Sequence, residues 1–424
     1  MFKTLANAWK IPDLRKKLMF TLIILLIYRL VSAIPVPYVD VETMASVFSQ
    51  SLSDTILGLY NAMSGSAFSQ ASLLALGIQP YINASIIIQL LTVAIPALER
   101  MAKEEGEAGK KKIERITRYT TVGLGLLLGF AYYTMVKSYD ILDASATGFW
   151  PAVVIILAFT AGSSIVMWMG EQITEFGIGN GISMILFANI IAGLPNTFSS
   201  IITYFNWWGI LVGVILLALV VFIVFINDAE RRIPIQYAKR VVGRKVYGGQ
   251  STNLPIKVSM SGVMPVIFAQ SIVSIPATIC AFMGIDGDSG NWWYDHVFSS
   301  TSWVYVVIYF LLIFFFSWFH STIQYDPVEI ANNLKKNGGF IPGFRPGKPT
   351  ADFIKKVINK ILIFGALYLA IVSMVPMIGG IIWPQVQYLA IGGTSIIILV
   401  GVALETVKAL EAQMLMRHYK GFLD

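Results

Sequence analysis

Ten apolar stretches punctuate the chain, near residues 18–34, 77–98, 119–136, 150–170, 181–200, 207–226, 258–282, 303–325, 361–378 and 386–404. Each approaches the roughly 20 helical residues that cross a bilayer core about 30 Å thick. One apolar run breaks the rhythm. Thr55 to Leu98 contains no Asp, Glu, Lys or Arg, is too long for one crossing, and is studded with Gly, Ser, Asn, Gln and Pro. Two crossings there would put the basic 99–118 segment on the same side as the acidic 35–54 segment, against the positive-inside bias. The pattern therefore predicts one full helix over Gly77–Leu98, preceded by a short half-helix around 56–68 that enters the membrane zone without crossing. Irregular backbone at that depth sits inside protein or lines a wet cavity. The chain is thus expected to enclose a pathway and to carry something able to occupy it.

Charge placement orients the ten spans. With the amino terminus inside, segments 1–17, 99–118, 171–180, 227–257, 326–360 and 405–424 hold 29 of the 31 Lys/Arg, Arg29 and Lys137 being the exceptions. The opposite face carries Asp40, Glu42, Asp54, Asp140, Asp143, Asp286, Asp288 and Asp295. The net charge of +7 is therefore a one-sided basic surface, and both termini are expected in the cytoplasm. A composition of 56% hydrophobic and 13% charged residues, with mean hydropathy +0.69, belongs to a polytopic all-α membrane protein without a sizeable soluble domain. The basic start, the apolar Leu18–Tyr28 run and Val31-Ser32-Ala33 imitate a signal peptide. Arg29 between core and site, and Pro35 close behind, argue against cleavage.

Ten spans divide into halves 1–200 and 201–424, and an odd number per half gives the second half inverted topology. Helices two and seven then correspond. Gly77-Ile78-Gln79-Pro80 and Ser261-Gly262-Val263-Met264-Pro265 echo each other weakly at their starts.

Chemical motifs are scarce. Gly343-Phe-Arg-Pro-Gly347-Lys348-Pro349 imitates a phosphate loop but is one residue short and has proline where the hydroxyl belongs. His296, His320 and His418 lack ligand spacing, and Cys280 stands alone, so no metal, cofactor or active site is expected. Arg29 is the one formal charge inside the spans; it either snorkels to the outer interface or contacts a pore or lipid. Two basic loops stand out. Residues 227–257 interleave Arg231, Arg232, Lys239, Arg240, Arg244 and Lys245 with Ile233, Ile235, Tyr237, Val241, Val242 and Tyr247, an alternation suited to a projecting hairpin. Residues 335–350 carry Lys335, Lys336, Arg345 and Lys348 among glycines and prolines, a stiff turn-rich tip. Such loops fix orientation, and these two also suit gripping acidic protein or RNA phosphate. Ile78, Ile82 and Ile86 recur every fourth residue on one helix face, either a lipid-facing or packing stripe or one wall of a dewetted constriction.

Several long motifs in order resemble the bacterial SecY family along essentially the whole chain: Ala75-Leu-Gly-Ile-Gln-Pro-Tyr-Ile-Asn-Ala-Ser-Ile-Ile-Ile-Gln-Leu-Leu91, Gly170-Glu-Gln-Ile-Thr-Glu-Phe-Gly-Ile-Gly-Asn-Gly-Ile-Ser183, Tyr237-Ala-Lys-Arg240, Gln250-Ser-Thr-Asn-Leu-Pro-Ile-Lys257, Pro342-Gly-Phe-Arg-Pro-Gly347 and Gly392-Gly-Thr-Ser395. The resemblance implies the central subunit of a protein-conducting channel in the bacterial plasma membrane, hourglass-shaped, with an aliphatic ring at Ile78, Ile82, Leu186, Ile267 and Ile398. It implies a plug at Ile56–Ser64, with Ile56, Leu57, Leu59, Tyr60, Asn61, Met63 and Ser64. Helices two and three against seven and eight form its lateral gate, through which signal sequences and membrane segments of nascent polypeptides leave into membrane lipids. Gln89, Ser259 and Gln270 are candidate gate polars, equally suited to ordinary interhelical hydrogen bonding. The basic loops dock the SecA motor ATPase and the ribosome through Arg345, with Arg231, Arg232, Lys239, Arg240, Arg244, Lys245 and Lys348. SecE-type and SecG-type small subunits complete the complex. A secondary solute transporter or a membrane scaffold remain the competing classes; a coupling acid within the spans would favour the transporter, and the spans hold none.

Overall fold

The computed structural model describes residues 2–52, 56–103, 105–143, 148–237, 240–242, 245–247, 251–260, 262–282, 296–297, 302–382 and 387–420. Fourteen helices follow in order: α1 Phe2–Lys10, α2 Pro12–Val31, α3 Val41–Val47, α4 Ile56–Ser64, α5 Gln79–Ala94, α6 Pro96–Lys103, α7 Gly106–Ser138, α8 Phe149–Phe176, α9 Gly181–Asp228, α10 Met264–Phe282, α11 Trp303–Gln324, α12 Pro327–Lys336, α13 Lys348–Ile382 and α14 Gln387–Lys420. A single π-helical turn, Phe48–Leu52, extends α3. Among the described residues, the helices beginning at Gly106, Phe149, Trp303 and Lys348 are long and apolar enough to cross a membrane, and α5 with α6, bent by 105°, makes a fifth where the pair is counted as one broken span.

Helix bounds depart from the apolar windows for physical reasons. α7, α13 and α14 run beyond them through charged turns, because a window that avoids charge finds only the membrane-embedded part of a helix. α5 ends early, since Pro96 cannot donate to the ladder and turns the chain. The break expected between residues 200 and 207 is absent: the backbone stays helical from Gly181 to Asp228, 48 residues with Pro195 inside. Nothing in Ile201-Ile-Thr-Tyr-Phe-Asn206 is a strong helix breaker. A straight helix of that length measures about 72 Å, more than two bilayer cores.

The helices close a circuit. α5 packs on α7, α7 on α8, α8 on α9, α9 on α14, α14 on α13, α13 on α11, α11 on α10, and α10 returns to α5 and α7. One hydrophobic core fills it, drawing residues from α2, α4, α5, α7, α8, α9, α10, α11, α13 and α14. The short α4 lies against α9, α10 and α14. A small core of Ala8, Leu14, Ile178 and Leu410 joins the amino-terminal helices to α14.

The weak echo between helices two and seven has a geometric counterpart. Gly77 (φ +52°) and Gly262 (φ +61°) are both left-handed, each two residues before its helix begins, and each helix carries proline at its second residue, Pro80 or Pro265. Left-handed backbone is the conformation glycine tolerates without a Cβ penalty.

Outside the helical body, β1 Glu230–Tyr237 pairs antiparallel with β4 Ser251–Lys257, from Glu230↔Lys257 to Gln236↔Ser251. Its other edge takes β5, Gly339–Phe340, through Gln236↔Phe340 and Tyr237↔Gly339. β2 Arg240–Val242 and β3 Lys245–Tyr247 form a separate ribbon. Ile233 and Ile256 turn inward onto Ala331, Ile341, Ile354 and Ile358, a second core that seats the sheet on α12 and α13.

Candidate functional site

Ile78, Ile82, Leu186, Ile267 and Ile398 come from α9, α10, α14 and both the entry and first turn of α5; each is at most 4% exposed, and all belong to the central core. Ile86 is buried with them, whereas its neighbour Ile87 is exposed. The Ile78/Ile82/Ile86 stripe therefore faces inward, which removes the lipid-facing alternative. Branched aliphatic side chains offer an ion no ligands, the condition for a dewetted seal wherever they line a constriction.

Against α9, α10 and α14 lies α4, Ile56–Ser64. Leu57, Tyr60, Met63 and Ser64 are buried; the side chains of Ile56 and Leu59 lie outside the described set. The helix ends in a Schellman turn. The Ser66 N–H donates to Asn61 O at 2.9 Å and the Gly65 N–H to Ala62 O at 3.2 Å, with Gly65 left-handed at φ +66°. Two later carbonyls are met from outside the segment: Asn189 Nδ2 donates to Met63 O at 2.8 Å and Arg29 Nη1 to Gly65 O at 3.1 Å. Asn189 Nδ2 also reaches the Tyr28 hydroxyl at 2.8 Å. Gln79 Nε2 donates to Met63 Sδ at 3.2 Å, Ser69 N–H to Asn61 Oδ1 at 2.9 Å, and the buried Tyr132 hydroxyl to Phe68 O at 2.8 Å. Arg29, for which the sequence admits snorkelling or a pore or lipid contact, turns inward to the Gly65 carbonyl. Asn189 was missed, because a lone amide in an apolar helix gives no sequence signal.

The three gate candidates differ. Gln89 Nε2 on α5 lies 3.4 Å from His320 Nδ1 on α11. Gln270 Nε2 donates to the Tyr305 hydroxyl at 3.3 Å, joining α10 to α11 within the second half. Ser259 Oγ is buried before α10 begins, with no partner among the described residues. His320, set aside as lacking ligand spacing, is thus the polar partner that sequence reasoning overlooked.

The two basic loops share the β4-β1-β5 sheet. Arg345 is exposed in the turn after β5, where its carbonyl accepts from Thr350 Oγ1 at 2.8 Å and the adjacent Phe344 ring sits 4.2 Å from that of Phe353. Lys348 and Arg231 are exposed too, and Arg232 Nε pairs with Glu230 Oε1 at 2.7 Å. Lys239 and Arg244 lie outside the described residues. Arg240 and Lys245 are described by backbone alone, in β2 and β3.

A sequence model of the SecY family matches residues 72–407. The protein translocase subunit SecY of Streptomyces galbus is 44% identical over 442 aligned positions, covering all of both chains. The fold is similar to a solved SecY whose plug domain stabilises the closed state of the translocation channel and maintains a membrane seal (TM-score 0.62, 18% identity, 94% of this chain and 92% of that one). It is also similar to Sec61 in the canine ribosome-channel complex (TM-score 0.59, 15% identity, again 94% and 92%).

Proposed function

The chain belongs to the SecY family, and from that premise we propose that it is the pore-forming subunit of a bacterial plasma-membrane translocase, closed at a five-residue aliphatic waist by α4 acting as a plug. The carrying observation is that Ile78, Ile82, Leu186, Ile267 and Ile398, drawn from both halves, are buried in one hydrophobic core beside a nine-residue helix too short to cross a membrane. Unfolded secretory polypeptide passes the waist, and apolar segments leave sideways where α5 and α7 meet α10 and α11. Both termini and both basic loops face the cytoplasm, by the charge bias. Arg345 and the neighbouring cations dock the partner that supplies the energy, a SecA-type motor or a ribosome. SecE-type and SecG-type subunits brace the helices. The relatives are translocase subunits, so the solute-transporter reading is set aside.

The test is protease protection of a secretory precursor in proteoliposomes holding this chain with its SecE-type partner, the SecA motor and ATP. ATP-dependent protection that falls with Arg345→Glu supports channel and docking site together. No protection, with an active motor and inserted subunits, overturns the channel reading.

A further inference from the structure

We propose that Arg29 and Asn189 form a polar clasp that holds the plug helix seated, and that its release sets the threshold for unsealing the channel. The proposal rests on the reading of α4 as the plug. A helix end leaves carbonyls without intrahelical donors. The Schellman turn at Gly65 satisfies those of Asn61 and Ala62 and leaves Met63 O and Gly65 O facing the protein. Side chains on two other helices meet them: Asn189 on α9 and Arg29 on α2. The guanidinium also brings positive charge to the negative end of the helix dipole.

Residue choice at the contact is restricted. A Cβ on Gly65 would lie 2.7 Å from Arg29 Nη1 and 2.9 Å from Asn189 Oδ1, and its positive φ independently favours glycine. Tyr28, fully buried beside Arg29, fixes Asn189 through its hydroxyl. An arginine inside a membrane span is costly unless partnered or wetted. Here the Gly65 carbonyl, in the turn that ends the plug helix, is its described partner, so displacing the plug obliges Arg29 to find water. Unseating is thereby coupled to wetting of the pathway.

The clasp also divides the plug's attachments. Both clasping side chains belong to the first half, whereas α10 and α14, which α4 also touches, belong to the second. Movement of α10 at the lateral gate loosens one set and leaves the other, so the gate can part while the seal holds.

The experiment measures resting ion conductance of the channel, purified with its small membrane partners, in planar bilayers. Wild type is compared with Arg29→Met, Arg29→Lys, Asn189→Leu, a channel lacking residues 56–65, and that deletion combined with Arg29→Met. The clasp predicts a rise for Arg29→Met on the order of tenfold, the scale of one charge-assisted hydrogen bond in a two-state equilibrium. It predicts a smaller rise for Asn189→Leu, partial rescue by Arg29→Lys, and no added effect of Arg29→Met once the plug is gone. A rise of equal size in the plug-deleted channel would show that Arg29 acts elsewhere and overturn the clasp. So would an unchanged Arg29→Met channel when the deletion does leak. If the deletion itself leaves conductance at the wild-type level, the plug reading fails and the clasp with it.

Discussion

Gln89 and His320 face each other at 3.4 Å, an amide and an imidazole joining α5 of the first half to α11 of the second. They lie at the seam where α10 also meets α5 and α7. A hydrogen bond between membrane helices is worth about 0.6 kcal/mol on average, roughly a threefold bias. If α5 and α11 part as the proposed gate, a bond of that size favours closure and is weak enough for an arriving apolar segment to overcome.

His320→Phe keeps a ring for the edge contact with Phe268 but removes the bond. A precursor with a shortened apolar signal core should then be exported about threefold better, read by protease protection. Gln89→Leu should behave alike, and the double variant should add little, because both changes remove one bond. Strict additivity would argue that the two residues do not act as a pair.

The waist predicts a leak. Ile82→Gly with Ile267→Gly removes two branched side chains from the seal, so resting conductance should rise several-fold while partner-driven export survives. Each change also costs roughly 2–5 kcal/mol of stability as a core truncation, so melting should be recorded on the same samples. Wild-type conductance from a folded double variant would place the seal elsewhere.

Arg345 predicts a loss confined to coupling. Arg345→Glu should reduce motor-driven protection by about tenfold or more, the scale of one lost charge-assisted contact. Its melting temperature should stay near wild type, since the side chain is exposed. Equal export by mutant and wild type would remove the docking role.

Gly162 predicts a packing failure. A Cβ there would lie 1.8 Å from the Leu73 carbonyl oxygen, a backbone atom that cannot swing aside. Gly162→Ala should cost about 1–3 kcal/mol and lower the melting temperature in detergent by several degrees, through displacement of the segment between plug and α5. Unaltered melting would mean that α8 and that segment separate freely.

Much of this architecture is legible in the residues, because membrane helices announce themselves by charge exclusion and loops by charge bias. The half-helix followed from one argument about Thr55–Leu98, and α4 occupies the lower part of the range that argument gave. What stayed hidden depends on partners distant in sequence. Arg29 was visible as an anomaly, yet its target, a backbone carbonyl, has no sequence signature. His320 looked idle because ligand spacing was sought along the chain, whereas its partner sits on another helix. The hairpin was readable from the alternation around Ile233 and Ile235; its pairing with Gly339 and Phe340 was not, since two residues make too short a strand to show a period.

That short pairing has a mechanical meaning. β1 holds β4 over seven register pairs and β5 over only two, at Gln236↔Phe340 and Tyr237↔Gly339. The arginine-bearing turn is tied to β1 by this short edge and by the packing of Ile341 with Ile233 and Ile256, so load placed on that turn passes into β1 and its longer ladder. Whatever lands on one arm is thus felt by the other through the shared edge and the shared core.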